Sequence, residues 1–407
     1  MLASAIAAER GLRTLVVERN DRCGKKLRIT GKGRCNVTND TSPADVIAHI
    51  PTGGKFLYGA MFAFPPEKVM DEFRSMGVDL KTERGNRVFP VSDRAEDVVA
   101  ALRRRMDRAG VTVVRATARQ ILTEGGACRG IATDRGDFHA PSVVMCTGGA
   151  SYPGTGSDGS GYEMARMAGH TVCRIRPSLV PLCVQGTDCQ EMQGLSLRNV
   201  RLTAVTPDGR TIYQEQGEML FTHFGVSGPL VLSASAHMKD SSAGCVLHID
   251  LKPALDEQKM EARILRDFSD QPNRDIANVL SGLVPRKMIP VILRRLGVPG
   301  ERKIHDITRQ TRKGLAALLK DLTMNVTGPR PISEAIVTSG GVDTGEVDPR
   351  SMQSRIIRGL YFAGEILNCD GYTGGFNLQI AWATARAAGV HAGNTAQDSC
   401  EKRNDNE

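Results

Sequence analysis

The chain has 407 residues, 41% hydrophobic and 24% charged, with a formal net charge of +8 and a pI near 9.0. That length exceeds one simple core, so two or three domains are expected, and the composition excludes a disordered, collagen-like or small disulfide-stapled protein. No apolar stretch approaches the roughly 20 residues that span a bilayer, so no membrane partner is expected.

The first segment, Met1 to Ala8, lacks a basic start, and Glu9-Arg10-Gly11 follows at once. It reads as a helix ended by Gly11 rather than as a secretion signal. Leu12 to Glu18 then reads as a strand ending in an acid. In a dinucleotide-binding βαβ unit, the second strand ends in an Asp or Glu that accepts hydrogen bonds from the adenosine ribose. Arg19 to Lys26 follows as a basic turn placed to meet adenosine or phosphate, with Arg19 and Lys26 as its candidate ligands. In the next run, Arg28 to Asn39, Gly31 and Gly33 allow close backbone approach. Arg34 offers a fork of donors to phosphate or a carbonyl, Cys35 reads as a structural thiol, and Asn36 carries both donor and acceptor.

This run closely resembles the G-x-G-R-C-N-x-T-N signature of the BaiN/YhiN-like bacterial FAD-dependent oxidoreductases, a family with bile-acid dehydro-reductases and aminoacetone oxidases among its members. The segments Thr147 to Tyr162, Phe221 to Leu232 and Val337 to Gly389 resemble its other motifs, in the same order. The resemblance implies an α/β fold: a Rossmann-like FAD-binding domain with an inserted β-barrel-like domain that carries a helical subdomain. It also implies that the family's opening strand and G-x-G-x-x-G lie upstream of Met1. The sheet is therefore expected to lack its central strand, and the pyrophosphate grip to be weakened.

Further along, 43–77 reads as mostly helical and 78–91 as strand and turn. Ala95 to Ala109 has apolar residues at helical spacing, and Val111 to Val114 is a strand. Arg103-Arg104-Arg105, the densest basic run, shares that helix with Asp97 and Asp107 and reads as a solvated face, so no nucleic-acid partner is expected. Ala118 resembles the start of the strand whose backbone meets adenine. Thr147 and Gly148 match the turn that returns the chain to the cofactor. Gly154-Thr155-Gly156-Ser157-Asp158-Gly159 fits G-x-G-x-x-G, but no acid ends the following strand, Thr171 to Ile175, so it is discounted as a second dinucleotide fingerprint.

From about residue 190 the texture turns to short β segments (197–206, 211–216, 218–222 and 245–251), with Asp208-Gly209 as a hairpin signal; 255–319 is helical in pattern. The domain expectation is 1–189 and 336–395 for the FAD-binding domain, 190–335 for the insert with its helical part at about 255–325, and a polar tail at 396–407. Within the insert His223 is the candidate acid or base. It serves equally well as an interface hydrogen-bonding group.

The C-terminal stretch, Leu360 to Gly389, has three parts: a short apolar strand ending at Gly364, a glycine turn from Asp370 to Gly375, and an Ala-rich helix. Strand, glycine turn and helix place backbone N–H groups and a helix N-terminus against an anionic or electron-rich ligand. By the resemblance this ligand is a flavin ring, held through Gly364, Glu365, Asp370, Gly374, Gly375, Phe376, Asn377 and Leu378. The family is generally acidic where this chain has Asn368, so Glu365 and Asp370 are the acids left there. Ten cysteines form no C-x-x-C pair and eight histidines no H-x-x-x-H pair, so no metal site is expected and the thiols read as reduced in a cytoplasmic protein. The expected function is hydride transfer between FAD and a small-molecule substrate, with NAD(P)H as a candidate electron donor. A flavin-dependent RNA-modifying or RNA-binding protein, and a truncated non-catalytic remnant, are the alternatives.

Overall fold

A computed structural model describes residues 1–238 and 242–394; the expected polar tail lies outside the described residues. The chain divides into two compact units, Met1–Ser178 with Pro331–Glu407, and Leu179–Arg330.

The first unit is α/β. Leu15–Glu18 pairs in parallel with Thr112–Arg115, and Val143–Met145 in parallel with Leu360–Phe362. The outer edge of Leu360–Phe362 is taken by backbone bonds to Met352 and Ser354. Among the described residues no strand pairs with the second edge of Leu15–Glu18 or of Val143–Met145, so the parallel sheet stands as two halves. Cys146, just past Val143–Met145, is exposed. Helix Leu2–Glu9 packs on helix Phe376–His391. A side chain at Gly389 would stand 2.7 Å from the Ala3 carbonyl oxygen, so glycine is what lets these helices touch. The core clusters on Leu360, Tyr361 and Phe362, all essentially without solvent contact.

Three smaller antiparallel sheets flank these strands. Ala118–Glu124, Ala127–Thr133 and Gly136–His139 form one; Thr38–Asn39, Arg87–Pro90 and Leu80–Glu83 form a second; Val172–Ser178 and Val337–Val342 form a third. One expectation is corrected nearby. The basic turn after Glu18 ends at Gly24, which takes φ 74 as the N-cap of a helix, so Lys25 and Lys26 are helical residues. That helix, Lys25–Gly33, kinks at Thr30, Gly31 and Lys32.

The second unit is built on a closed antiparallel barrel, in the order Leu182–Val184, Gly225–Ser227, Thr211–Thr222, Ser196–Val205, Val246–Asp250, Leu322–Pro329. The hairpin turn sits where Asp208-Gly209 predicts it, between Ser196–Val205 and Thr211–Thr222. The two strands expected at 211–216 and 218–222 are one, because Gly217 stays in the ladder opposite Val200. An added Cβ at Gly217 would crowd the Leu230 side chain at 3.3 Å. Between Val246–Asp250 and Leu322–Pro329 the chain forms a helical lobe of Glu257–Ser269, Ile276–Leu280, Ile289–Leu296 and Arg309–Lys320.

Candidate cofactor site

The C-terminal stretch folds as strand Leu360–Phe362, glycine turn and helix Phe376–His391. The helix starts from Gly375 at φ 103 with no side-chain cap, so its first-turn N–H groups are left to a ligand or water. Gly375 has no alternative residue: an added Cβ would lie 2.3 Å from the carbonyl carbon and oxygen of Thr38. Asn377 closes the turn, accepting from Gly371 N–H at 2.9 Å and donating to the Gly371 and Tyr372 carbonyls. Its side chain shapes the cradle, while Phe376, Asn377 and Leu378 offer it their backbone.

The R-C-N-x-T-N run is laced to that helix. Thr38 donates to Gln379 Oε1 at 2.7 Å, Asn39 donates to the Gly374 carbonyl at 3.0 Å, and Trp382 Nε1–H donates to the Val37 carbonyl at 2.8 Å. These partners are more than 330 residues apart in sequence. Arg34 points elsewhere: it pairs with Glu83 and Asp93, and its guanidinium lies 4.1 Å from the Phe89 ring centre. The expected donor fork to phosphate is thus already engaged by Glu83 of the adjacent hairpin and by Asp93 just beyond it. Cys35 is fully buried at φ 61, and burial pushes its thiol up to about 12, which rules it out as a thiolate nucleophile at neutral pH.

Glu365 is the polar centre of the strand ends. It takes Lys26 Nζ at 2.6 Å, the Thr338 backbone N–H at 2.8 Å and Ser151 Oγ at 3.3 Å; Lys26 also donates to Ser151 at 2.8 Å. Asp370 is fully buried, accepts from Ser178 Oγ at 2.7 Å, and has its carboxyl pushed up by burial. At the end of Leu15–Glu18, Glu18 Oε1 accepts from Asn20 backbone and side chain, and among the described residues none bonds to Oε2. Glu18 lines a cavity of about 380 Å³ with Met1, Asn20, Cys23, Arg103 and Arg115. The discounted glycine loop closes against this corner: Arg19 pairs with Asp158 at 2.5 Å, and Asn20 donates to the Thr155 carbonyl at 3.1 Å. Arg19 is therefore tied to the loop. Ala118 stands at the start of its strand, half-buried.

Whether these residues fit a flavin dinucleotide is tested by what they leave unsatisfied. Buried polar atoms without a protein partner include Asn36 Oδ1, Thr147 Oγ1 and Asp370 Oδ1. All three belong to the segments read from sequence, and unpaired buried acceptors are uncommon. With the uncapped helix and the Gly375 cradle, they fit an extended polar ligand. Thr147 is held close by Gly161, where a Cβ would be 1.9 Å from its hydroxyl, and Gly148 turns at φ 74.

The comparisons then decide the family. The chain matches the HI0933-like protein Rossmann domain over residues 1–391. It belongs to that family. It is 30% identical over 397 residues to the 3-dehydro-bile acid delta(4,6)-reductase of Clostridium scindens, spanning 95% of each chain. It is also 29% identical over 393 residues to the ribosomal RNA dihydrouridine synthase of Escherichia coli, spanning 95% of this chain and 94% of that protein. Among solved structures, the E. coli quinol fumarate reductase subunit FrdA aligns at TM-score 0.50 and 15% identity, over 98% of this chain and 68% of that one, a likeness of fold. By class, this HI0933-like chain is a flavoprotein oxidoreductase with a Rossmann-like cofactor fold.

Sequence reading missed several residues of the site. Thr38 and Asn39 stand inside the quoted motif without having been singled out, Ser151 follows the Thr147 turn, and Thr338 and Gln379 lie within recognised segments. His49 had no sequence signal; its ring stacks on Phe376 at 4.7 Å and 4°. His223, in contrast, sits exposed in the turn between Thr211–Thr222 and Gly225–Ser227 of the second unit, its ring edge-on to Phe224.

Proposed function

We propose that the chain holds FAD non-covalently in the first unit and uses it to reduce a carbon–carbon double bond conjugated with a carbonyl in a small-molecule substrate. The observation that carries this reading is the uncapped start of Phe376–His391, pinned by Thr38 and Asn39. Bound FAD supplies the hydride-transferring centre. The chain's own part is to place the backbone N–H groups of Phe376, Asn377 and Leu378, and the positive end of that helix, where reduced flavin gathers negative charge. Glu18 and Glu365 are the acceptors for cofactor hydroxyls, Glu365 held in place by Lys26, Ser151 and Thr338. The backbone at Gly31, Gly33, Thr147 and Gly148 gives close approach.

The names of the two relatives support the direction. One is a reductase of delta(4,6) double bonds in a 3-dehydro bile acid, and the other makes dihydrouridine, in which a ring double bond of uridine is saturated. In both substrates the double bond is conjugated with a carbonyl, which accepts negative charge as hydride adds. The reducing equivalents in this proposal come from a reduced nicotinamide. The test is anaerobic: the protein is reconstituted with FAD, its flavin is reduced, and flavin reoxidation is followed after adding a conjugated enone or its unconjugated isomer. Reoxidation by the enone alone is expected. Failure to retain FAD, or equal rates with both compounds, refutes the proposal.

A further inference from the structure

His170 is a buried titratable group of the first unit that the cofactor site does not use. It follows helix Ser160–Met167, and its side chain has no solvent contact. Its Nε2 lies 2.9 Å from Ser354 Oγ and its Nδ1 lies 3.2 Å from Glu346 Oε2. The rings of His170 and Phe362 meet edge to face, 4.8 Å between centres. Serine, histidine and glutamate joined in this order have the connectivity of a hydrolase triad. The nucleophile reading fails at Ser354, which is buried and whose Oγ already accepts the N–H groups of Ile356 at 3.0 Å and Ile357 at 2.8 Å.

Those two bonds fix where the protons are. A serine oxygen has two lone pairs and one hydrogen. With both lone pairs engaged, Ser354 donates its hydrogen to Nε2, so neutral His170 carries its own proton on Nδ1. That N–H stands near Glu346 without being aligned for a hydrogen bond, while Glu346 Oε2 accepts from Thr171 N–H at 2.8 Å. A second proton has no place here. On Nε2 it would point at an oxygen whose lone pairs are taken, and the displaced hydroxyl hydrogen would have no solvent to turn to. Burial is the larger influence on the ring and holds its pKa below the ordinary value, against the pull of Glu346.

Glu346 is the charged group that acts on His170. The others on the elements around it are engaged elsewhere. Glu163 pairs with Arg166, Asp343 caps Gly345, and Asp348 accepts from the N–H groups of Arg350 and Ser351. Arg355 donates to the Val347 carbonyl, Tyr361 donates to the His391 carbonyl, and Arg174 and Arg176 have partners of their own. Cys173 is kept neutral, its thiol pushed up by burial.

Ser354 in turn holds an edge of the sheet. Its N–H donates to the Leu360 carbonyl at 2.7 Å, and the Met352 carbonyl accepts from Phe362 N–H at 3.0 Å. Segment 343–358 therefore covers the outer edge of Leu360–Phe362, the strand that runs directly into Gly364 and Glu365. It also buries Val347, Met352 and Ile357 in the core.

We propose that His170, Ser354 and Glu346 form an acid-sensitive latch, which holds 343–358 on the sheet edge while His170 is neutral and releases it when His170 takes a second proton. Release requires neither flavin nor turnover, so it stands apart from the reductase reading. A histidine whose folded pKa is lowered contributes stability that is complete above its ordinary value of about 6.5. That contribution is lost as pH falls from there towards the folded value. Uptake of one proton on release makes the open fraction grow up to about tenfold per pH unit in this window.

The test is hydrogen–deuterium exchange of the full chain between about pH 7.5 and about pH 5, bracketing the ordinary histidine value. Peptide mass spectrometry reads it out, with rates corrected for the intrinsic pH dependence of amide exchange and helix Ala95–Arg108 as the reference. Exchange in 343–362 should quicken relative to that helix, by up to about tenfold per pH unit below about 6.5. His170→Gln can still accept from Ser354 but cannot titrate, and it should abolish this dependence. Glu346→Gln keeps an acceptor for Thr171 and removes the charge that favours the imidazolium, so release should move to lower pH. A merely structural Glu346 would loosen the segment alike at every pH. Nitrogen-15 NMR at about pH 7.5, above the ordinary histidine value, should show the tautomer protonated on Nδ1. Parallel quickening of the segment and the reference helix, a pH dependence that survives in His170→Gln, an unshifted release in Glu346→Gln, or a tautomer protonated on Nε2 would each overturn the proposal.

Discussion

Replacing Gly375 by alanine isolates how tightly the cofactor turn is built. Two costs combine at this residue. Its φ of 103 lies where L residues are strained, which costs about 1–3 kcal/mol, and a new Cβ would overlap Thr38 backbone at 2.3 Å, adding about 1–3 kcal/mol of overpacking. Gly77→Ala is the matched control: φ there is 81 and nothing lies within 4 Å of the Cβ position, so only the conformational cost applies. The assay is urea unfolding followed by fluorescence of Trp382, the single tryptophan. That residue reports on the right place, because its indole is bonded to Val37 and packs edge-on against Phe73 at 5.3 Å. Gly375→Ala should be less stable than Gly77→Ala by about 1–3 kcal/mol. Equal destabilisation by the two would show that Thr38 yields, and that the cradle is not set by this contact.

Asp370 gives a pH-dependent outcome. Burial raises its folded-state carboxyl pKa, so the stability it contributes is present at low pH and is lost as pH rises through the folded value. Asp370→Asn should therefore gain stability relative to the native protein as urea midpoints are taken upward from about pH 4, the ordinary carboxylate range, and a gap independent of pH refutes the assignment. Cys35, raised to about 12 by burial, should escape iodoacetamide in the native protein at pH 8 and be alkylated only after unfolding; peptide mass spectrometry reads this out. The neutral Cys35 thiol contributes stability below the ordinary thiol pKa of about 8.5, lost as pH climbs towards 12. In the second unit, Asp256 caps helix Glu257–Ser269 by accepting from Lys259 N–H at 2.8 Å. Asp256→Ala should cost about 1 kcal/mol by chemical denaturation with far-UV detection, and a cost near zero would mean that water replaces the cap.

Where the signals are local, the sequence is a good guide. Alanine content and the glycines before it mark the C-terminal helix, and Asp208-Gly209 marks a hairpin, because backbone preference acts over a few residues. The errors arise where a partner is distant. Arg34 looks like a phosphate ligand until Glu83 and Asp93, about fifty residues on, are seen to hold it. Lys25 and Lys26 read as turn because nothing in the residues themselves says that Gly24 adopts a left-handed cap.

The lacing of Val37, Thr38 and Asn39 to Gly374, Gln379 and Trp382 also bears on the order of biosynthesis. During translation the opening segment must wait, without its partners, until nearly the whole chain has been made. The intervening unit is continuous in sequence and closes its barrel with Leu322–Pro329. It has all its strands before the C-terminal helix exists, whereas contacts between distant segments form late and slowly. A ribosome stalled shortly before residue 376 would therefore carry a finished barrel and an unfinished first unit, with the faces of Val37 and Phe73 that later receive Trp382 still open to chaperones.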